Sequence, residues 1–328
     1  MGLYKHIVSV SGGKDSQATL HLAIERGINF IAVFADTGHE HEETIKHIKY
    51  LNDNLCPIKT IRLDHDWLST RIKNKRMFIA RDVRTRRDKK TGRKVRWTNK
   101  AKRRALAVLH PTGNQFLDLC LWKGRFPSTR RRFCSEMLKH EPIRQQIVEP
   151  LQADGYTVIS WQGVRADESR SRADLPIVDQ PEDGLIVYRP IITWTAEDVF
   201  NYIKSTGFKY NPLYEQGMGR VGCMPCIHAR KDELCQISQR FNQHIKRLQE
   251  WEPLVSKASK RGSSTFYDVR VIEKGDTSRV SYKTHGIDKL VDWSKTSHGG
   301  KQFDAFAIMD EAELEMCSSI YGLCESSD

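Results

Sequence analysis

The chain has 328 residues, 39% of them hydrophobic, enough for a core and for one large domain or a main domain with an appendage; no run is long and apolar enough to span a membrane. Residues 1–14 hold no basic stretch followed by an apolar run and a cleavage site, so a cytoplasmic location is expected, where eight cysteines argue against a disulfide framework and for metal or redox chemistry. The net charge of +12 is concentrated: residues 71–104 carry 17 Lys or Arg against Asp82 and Asp88, which leaves the rest of the chain slightly acidic.

The alternation Ile7-Val8-Ser9-Val10 predicts a short buried strand, and Leu20, Ala23 and Ile24 recur at helical spacing within residues 17–26. Between them, Ser11-Gly12-Gly13-Lys14-Asp15-Ser16 is a strand-to-helix turn. The first N–H groups of a helix have no partner within it and the helix dipole is positive there, so an anion is the natural occupant. Paired glycines let a phosphate approach the backbone and Lys14 adds a cation, at a spacing shorter than that of a Walker A loop. An ordinary tight turn with an exposed lysine is the competing reading.

Residues 29–35 predict a second strand ending at Asp36-Thr37-Gly38. Ile45, Ile48, Leu51 and Leu55 define one face of a helix over residues 43–55, and residues 58–64 predict a third strand. Strands joined by single helices form right-handed parallel units whose ligands bind beyond the carboxyl ends of the strands. The expected fold is therefore an α/β doubly wound, mostly parallel sheet, with Asp36, Thr37 and Gly38 facing the same crevice as the glycine loop.

The basic stretch at about 71–104 reads as an insertion with too few apolar residues to fold alone. It is either a solvated loop or a contact for DNA or RNA, in which Trp97 would stack on a base. From residue 114 the chain is globular again, with Phe116, Leu117, Leu119, Cys120 and Leu121 as core and Cys120 as a small buried hydrophobe. A strand over residues 157–161 leads to Arg165, Arg170 and Arg172, three planar forks suited to phosphate or sulfate oxygens unless internal ion pairs with Asp167, Glu168 and Asp174 occupy them. Residues 186–192 predict an edge strand containing Pro190. Thr195 with Asp198 predicts a capping box for a helix that buries Val199, Tyr202 and Ile203 and ends at Gly207.

Gly222-Cys223-Met224-Pro225-Cys226 is a CxxC in a loop, with Cys235 nine residues further on. Two thiolates of a CxxC can grip one metal centre, and Cys134 and Cys235 are the candidates to complete a four-thiolate site; structural zinc and a bare redox dithiol are alternatives. His228 and His244 are expected at the surface. Beyond residue 235, Phe241, Ile245 and Leu248 predict a helix, residues 267–282 a hairpin and residues 310–320 another helix, together a smaller appendage over 236–328 attached to a main domain over 1–235.

Several stretches resemble one known family. They are Ser11 to Ser16, then Val33-Phe34-Ala35-Asp36-Thr37-Gly38-His39 with Glu43-Thr44, then Phe133-Cys134-Ser135-Glu136-Met137-Leu138-Lys139 with Glu141-Pro142. Gly163-Val164-Arg165-Ala166-Asp167-Glu168-Ser169 with Ser171-Arg172, and Pro190 to Trp194 with Glu197-Asp198-Val199, continue it. In order from about residue 5 to residue 230, they are similar to the phosphoadenosine phosphosulfate (PAPS) reductase family, within the adenine nucleotide alpha hydrolase fold.

The resemblance implies ATP or PAPS as nucleotide, held by Ser11, Gly12, Gly13, Lys14, Asp15, Ser16, Asp36, Thr37, Gly38, Arg165, Ser169, Arg170 and Arg172, with Lys14 and Asp15 catalytic and Asp15 helping to place Mg²⁺. It also implies a 4Fe-4S cluster on Cys134, Cys223, Cys226 and Cys235. Three departures stand out. His41 and Glu42 replace an aromatic and a proline, Phe133-Cys134 stands where adenylylsulfate reductases have a Cys-Cys pair, and Gly322-Leu323-Cys324-Glu325 replaces a C-terminal Glu-Cys-Gly-Leu-His. The use of Cys235 is similar to DNA-phosphorothioation sulfurtransferases. Two enzyme readings follow: ATP-dependent sulfur transfer to a nucleic acid, with a cysteine desulfurase as sulfur-donor partner, or reduction of PAPS or adenylyl sulfate to sulfite, with Cys324 attacking and thioredoxin as partner. A nucleic-acid-binding module without turnover is the third reading.

Overall fold

The computed structural model describes residues 3–85, 87, 89–90, 92, 96–180, 184–267 and 280–296. Packing groups them into two compact units, one of residues 3–62 with 136–224 and one of residues 63–135 with 225–296. The division expected at residue 235 follows the reach of the family resemblance, whereas packing groups the basic segment with the residues after 225.

The first unit is built on one six-stranded sheet of β1 (Tyr4–Ser9), β2 (Phe30–Ala35), β3 (Ile58–Ile61), β4 (Thr157–Trp161), β5 (Val178–Asp179) and β6 (Ile186–Tyr188), in the order β3-β2-β1-β4-β6-β5. All neighbouring pairs are parallel except β5 with β6. This is the doubly wound, mostly parallel α/β fold expected. Successive strand residues point to opposite faces, so Ile7 and Val33 enter one core with Ile61, Ile147 and Val158, while Val8, Ala32 and Phe34 enter another. The second core also takes Leu20, Ile48, Val199 and Ile203 from the helices Lys14–Glu25, Glu42–Asn54 and Ala196–Ser205. Both faces of the sheet are covered, as the continuous apolar runs of its parallel strands require.

Three details differ from the pattern expected. Ile24 and Ile45 are exposed, because the buried face of each helix is rotated onto neighbours including Gln17 and His47. The helix after β2 begins at Glu42 because the His41 ring accepts the Glu43 N–H at 3.0 Å, replacing the aromatic–proline entry by a side-chain cap. β6 is not an edge strand: it ends at Tyr188, short of Pro190, and two-residue β5 takes the edge. The Thr195–Asp198 capping box is present, with Oγ1 of Thr195 accepting the Asp198 N–H at 3.1 Å.

The second unit is helical among its described residues, with His65–Arg81, Asn99–Leu106, Gln115–Lys123, Lys231–Arg240, Asn242–Ala258, Tyr282–His285 and Ile287–Ser294. The described part of the basic segment is not an open loop. Ile72, Ile79, Ala101 and Ala105 are buried along two helices, and the chain between them returns on the buried Asp82. That carboxylate accepts from Arg84 Nε at 2.7 Å and from the Trp97 backbone N–H at 2.8 Å. Trp97 is consequently buried, and the expectation that it stacks on a base is corrected. Cys120 is fully buried, as expected.

Phe241, Ile245 and Leu248 are buried as predicted. His244, expected at the surface, is also buried, with its ring 2.8 Å from the Arg247 guanidinium. Of the hairpin read over residues 267–282, the stretch 268–279 lies outside the described residues, and Tyr282 opens a helical turn capped by Ser281 instead of ending a strand. The helix read over 310–320 also lies outside them.

Candidate functional site

The strand order reverses direction between β1 and β4, and the loops that leave their carboxyl ends meet. After β1, Gly12 takes φ +79°, a left-handed backbone, and packs against Thr44. Ser16 closes the loop on itself: its Oγ accepts from the Ser11 N–H at 3.0 Å and donates to the Gly13 carbonyl at 2.9 Å. Asn211 Nδ2 donates to the Gly12 carbonyl at 3.1 Å, and the Lys14 N–H donates to the Tyr214 hydroxyl at 2.9 Å. The turn after the helix Ala196–Ser205 therefore braces the glycine loop from outside. Neither Asn211 nor Tyr214 was picked out from the sequence, where nothing but proximity in the fold marks them.

After β4, Gly163 lies so close to the first helical turn that an added Cβ would come within 2.6 Å of the Asp15 carbonyl and 2.8 Å of the Ser16 nitrogen. That close approach delivers Arg165, which is buried, to Asp15 at 2.5 Å from its Nε. Its Nη1 pairs with Asp167. Burial works against the Arg165 charge, but Asp15 and Asp167 outweigh it and hold the guanidinium above its ordinary value. The other Asp15 oxygen lies 3.1 Å from the Lys14 ammonium. Lys14 is also buried, with Nζ 5.4 Å from the Tyr214 ring centre and 5.7 Å from that of Phe200. Desolvation lowers its pKa, opposed by Asp15.

Of the remaining arginines, Arg172 is paired with Glu168, and Arg170 and Ser169 are exposed. Arg165 and Arg172 thus have the internal ion pairs that the sequence left as the alternative, which does not prevent Arg165 from facing an anion but makes it a fixed charge.

After β2, Asp36 accepts the Gly38 N–H at 2.8 Å and pairs with Arg62 at 2.5–2.8 Å. Thr37 donates from its backbone and its hydroxyl to the two oxygens of the buried Glu40, at 3.0 and 2.7 Å. The same segment holds the first cysteine of the CxxC: Glu40 and Cys223 form a β-bridge, and the Met224 N–H donates to the His39 carbonyl at 2.9 Å. The Cys223 thiol faces Glu40 at 3.7 Å and the Thr37 hydroxyl at 3.6 Å. Glu40 and Arg62 join the candidate site through these contacts alone; in the sequence, only Glu40's place directly after His39 marks it.

Cys134, Cys226 and Cys235 belong to the second unit, and Cys324 lies outside the described residues. Cys226 and Cys235 carry free thiols. Burial raises the Cys235 thiol, and the Cys226 carbonyl accepts from the Tyr267 hydroxyl at 3.0 Å. Cys134, Cys226 and Cys235 are not drawn within 4.8 Å of one another.

The Phosphoadenosine phosphosulfate reductase domain model matches residues 5–229, most of the chain, including the glycine loop, Asp36 to Glu40, Arg165 and the CxxC. The chain belongs to the PAPS reductase family. It is 48% identical, over 98% of its length and 96% of the other's, to an uncharacterized 37.8 kDa protein in the gpa 5′ region of Escherichia phage 186. It is 25% identical to the phosphoadenosine 5′-phosphosulfate reductase of Vibrio atlanticus over 72% of each chain. With the adenosine 5′-phosphosulfate reductase of Neisseria meningitidis serogroup B it shares 35% identity over 33% of this chain and 44% of that one. Among solved structures, the PAPS reductase of Candida auris in its phosphate complex aligns at a TM-score of 0.38 and 16% identity, over 68% of this chain and 81% of that one. As a member of this family the chain is a nucleotide-related sulfur enzyme.

Proposed function

We propose that this PAPS reductase family member binds ATP at the glycine loop and uses it to place sulfur on a nucleic acid. An acceptor oxygen would attack the α-phosphorus of ATP, forming a P–O bond as the α–β bridge breaks and pyrophosphate leaves. The outer sulfur of a persulfide, supplied by a cysteine desulfurase, would then attack the atom bearing the adenylated oxygen, which departs with AMP, and a thiol would reduce the remaining S–S bond, itself being oxidised to a disulfide. The observation that carries the nucleotide half is Lys14, buried at a helix N-terminus between the glycine loop and Arg165. A helix N-terminus, a left-handed Gly12 and two desolvated cations are what a phosphate needs. Asp15 has an oxygen on each cation, so it orients Lys14 and Arg165 rather than presenting an open carboxylate to Mg²⁺. The concentration of basic residues in the second unit supports a nucleic-acid acceptor.

The cysteine centre is part of this proposal. Cys134, Cys223, Cys226 and Cys235 are soft donors of the kind an iron–sulfur cluster takes, and the cluster would supply a redox or sulfur-carrying centre when bound. Iron content and a visible spectrum that bleaches in Cys223→Ser are its test.

The relatives named as sulfonucleotide reductases favour a second reading, in which Arg165, Arg170 and Arg172 hold the sulfate end of PAPS or adenylyl sulfate and Cys324 attacks. Products separate the two. Pyrophosphate and AMP released from ATP, with pyrophosphate lost in Lys14→Met, support sulfur transfer. Sulfite formed with thioredoxin or glutathione, and abolished in Cys324→Ser, supports reduction. If neither set of products forms, both enzyme readings fail and a binding module remains.

A further inference from the structure

The second unit holds a cavity of about 870 Å³ with six cations in its wall: Lys100, Arg104, Arg125, Arg131, Lys260 and Arg261. Among the described residues, no Asp or Glu lines it. We propose that this cavity is the nucleic-acid contact, a phosphate-recognising site that takes a short stretch of single strand. It rests on the reading that the acceptor is a nucleic acid and names where that strand is held.

Three segments of chain supply two cations each, and each is fixed by local hydrogen bonds. Lys100 and Arg104 lie on the helix Asn99–Leu106, whose N-terminus Thr98 caps at 3.2 Å and turns toward the cavity. Arg104 is the strut: its guanidinium donates to the Ser259 and Lys260 carbonyls at 2.8 and 3.1 Å, beyond the C-terminus of Asn242–Ala258, where a cation suits the helix dipole. Its guanidinium lies against Gly262, whose φ of +78° and lack of a Cβ leave it room.

The loop that carries Lys260 and Arg261 is pinned at both ends. Ser259 Oγ accepts the Gly262 and Ser263 N–H groups at 2.8 and 3.1 Å, and Ser256 exchanges hydrogen bonds with Ser264 at 2.8 and 2.9 Å. The Phe126 N–H in turn donates to Ser264 Oγ at 3.2 Å, which ties in the third segment. There, Ser128 and Arg131 exchange backbone hydrogen bonds at 3.0 and 3.2 Å, and this tight turn sets Arg131 in the wall.

Like charges held together on stiff segments repel one another, and an arrangement of this kind is stabilised when an anion arrives. Thr98 and Ser128 add hydroxyls to the wall beside the cations, so it offers neutral groups as well as charge. The volume falls in the range of small-ligand pockets, about 300–1,000 Å³, large enough for a few nucleotides and too small for a duplex. Lys100, Arg125, Arg131, Lys260 and Arg261 are exposed, whereas the floor includes the buried Phe126 and Phe266.

The test is fluorescence anisotropy of a labelled single-stranded 12-mer, DNA and RNA in turn, across a salt series, on the full chain. The triple variant Lys100→Ala/Arg125→Ala/Arg131→Ala should weaken binding on the order of 100-fold and flatten the salt slope by about two, since each phosphate contact to a single strand contributes roughly 0.7. Lys46→Ala/Lys49→Ala/Lys204→Ala, on exposed positions of the first unit, is the charge-matched control and should bind as the parent does. A circular dichroism melt matched to the parent shows that the triple variant is folded. If it is not folded, Arg131→Glu alone is measured, with a loss of roughly tenfold expected.

Unchanged oligonucleotide affinity in the folded variants overturns the site. Tight binding of inorganic tripolyphosphate with none of the 12-mer overturns the strand and leaves a small oligophosphate as ligand. Nucleotide binding is measured in parallel: ATP bound without the 12-mer refutes this site alone, and the 12-mer bound without ATP refutes the nucleotide reading alone.

Discussion

The Tyr214 hydroxyl is a single atom on which the glycine loop depends, and Tyr214→Phe removes it with little else disturbed. The ring is 2% exposed, packs edge-to-face on Phe200 at 5.3 Å and lies under the Lys14 ammonium at 5.4 Å; a phenylalanine keeps all three relations. What is lost is the acceptor, 2.9 Å away, for the Lys14 N–H. Lys14 is the first residue of its helix and its N–H has no partner inside the helix, so the donor is left buried and unmatched. Such a donor costs about 1–3 kcal/mol, a factor of roughly five to 150 in the unfolding equilibrium. Urea denaturation of the first unit, followed through the buried Trp161, should show this as a lower midpoint at unchanged slope. Amide exchange at residues 14–17 should rise by a comparable factor. A variant within about 0.5 kcal/mol of the parent would refute the claim that this bond holds the loop.

Gly163→Ala should lower the melting temperature and abolish ATP binding together, because its methyl would meet the Asp15 and Ser16 backbone, which cannot give way; calorimetric titration with ATP checks it, and parent-like binding would contradict the close approach. The two units should respond to pH with opposite signs. In the first, burial lowers His21 and His47 from 6.5 to about 4, so the unfolded chain takes up protons that the native one refuses. Stability is full above pH 6.5 and is lost as pH falls toward 4, by up to about 3 kcal/mol for His47. In the second, burial raises Glu252 from 4.5 to about 7 although the Phe266 and Ile287 N–H groups donate to it at 2.8 and 3.0 Å. Its contribution is full below pH 4.5 and declines as pH rises through 7, again by about 3 kcal/mol at most. Hydrogen exchange at pH 5 and pH 7.5, corrected for intrinsic rates, resolves the units, and parallel slopes would contradict both assignments.

Local pattern was enough for the first unit. The glycine loop, the parallel sheet and the capping box at Thr195 were legible because strand alternation, helical spacing and cap chemistry act over a few residues. The candidate anion residues were legible for the same reason, each lying just after a strand. Tertiary packing decided the partners. Nothing near residue 14 announces that Tyr214 and Asn211, some 200 positions away, close the loop, or that Glu40 receives Thr37 and Cys223. Composition marked residues 71–104 as unable to fold alone, and packing supplied what they lacked: Asp82 gathers Arg84 and Trp97, and Arg104 docks on carbonyls from residues 257–260. Charge and helix propensity are properties of short stretches and can be read from them. Burial belongs to the surface that another part of the chain covers, and only the folded arrangement says which part that is.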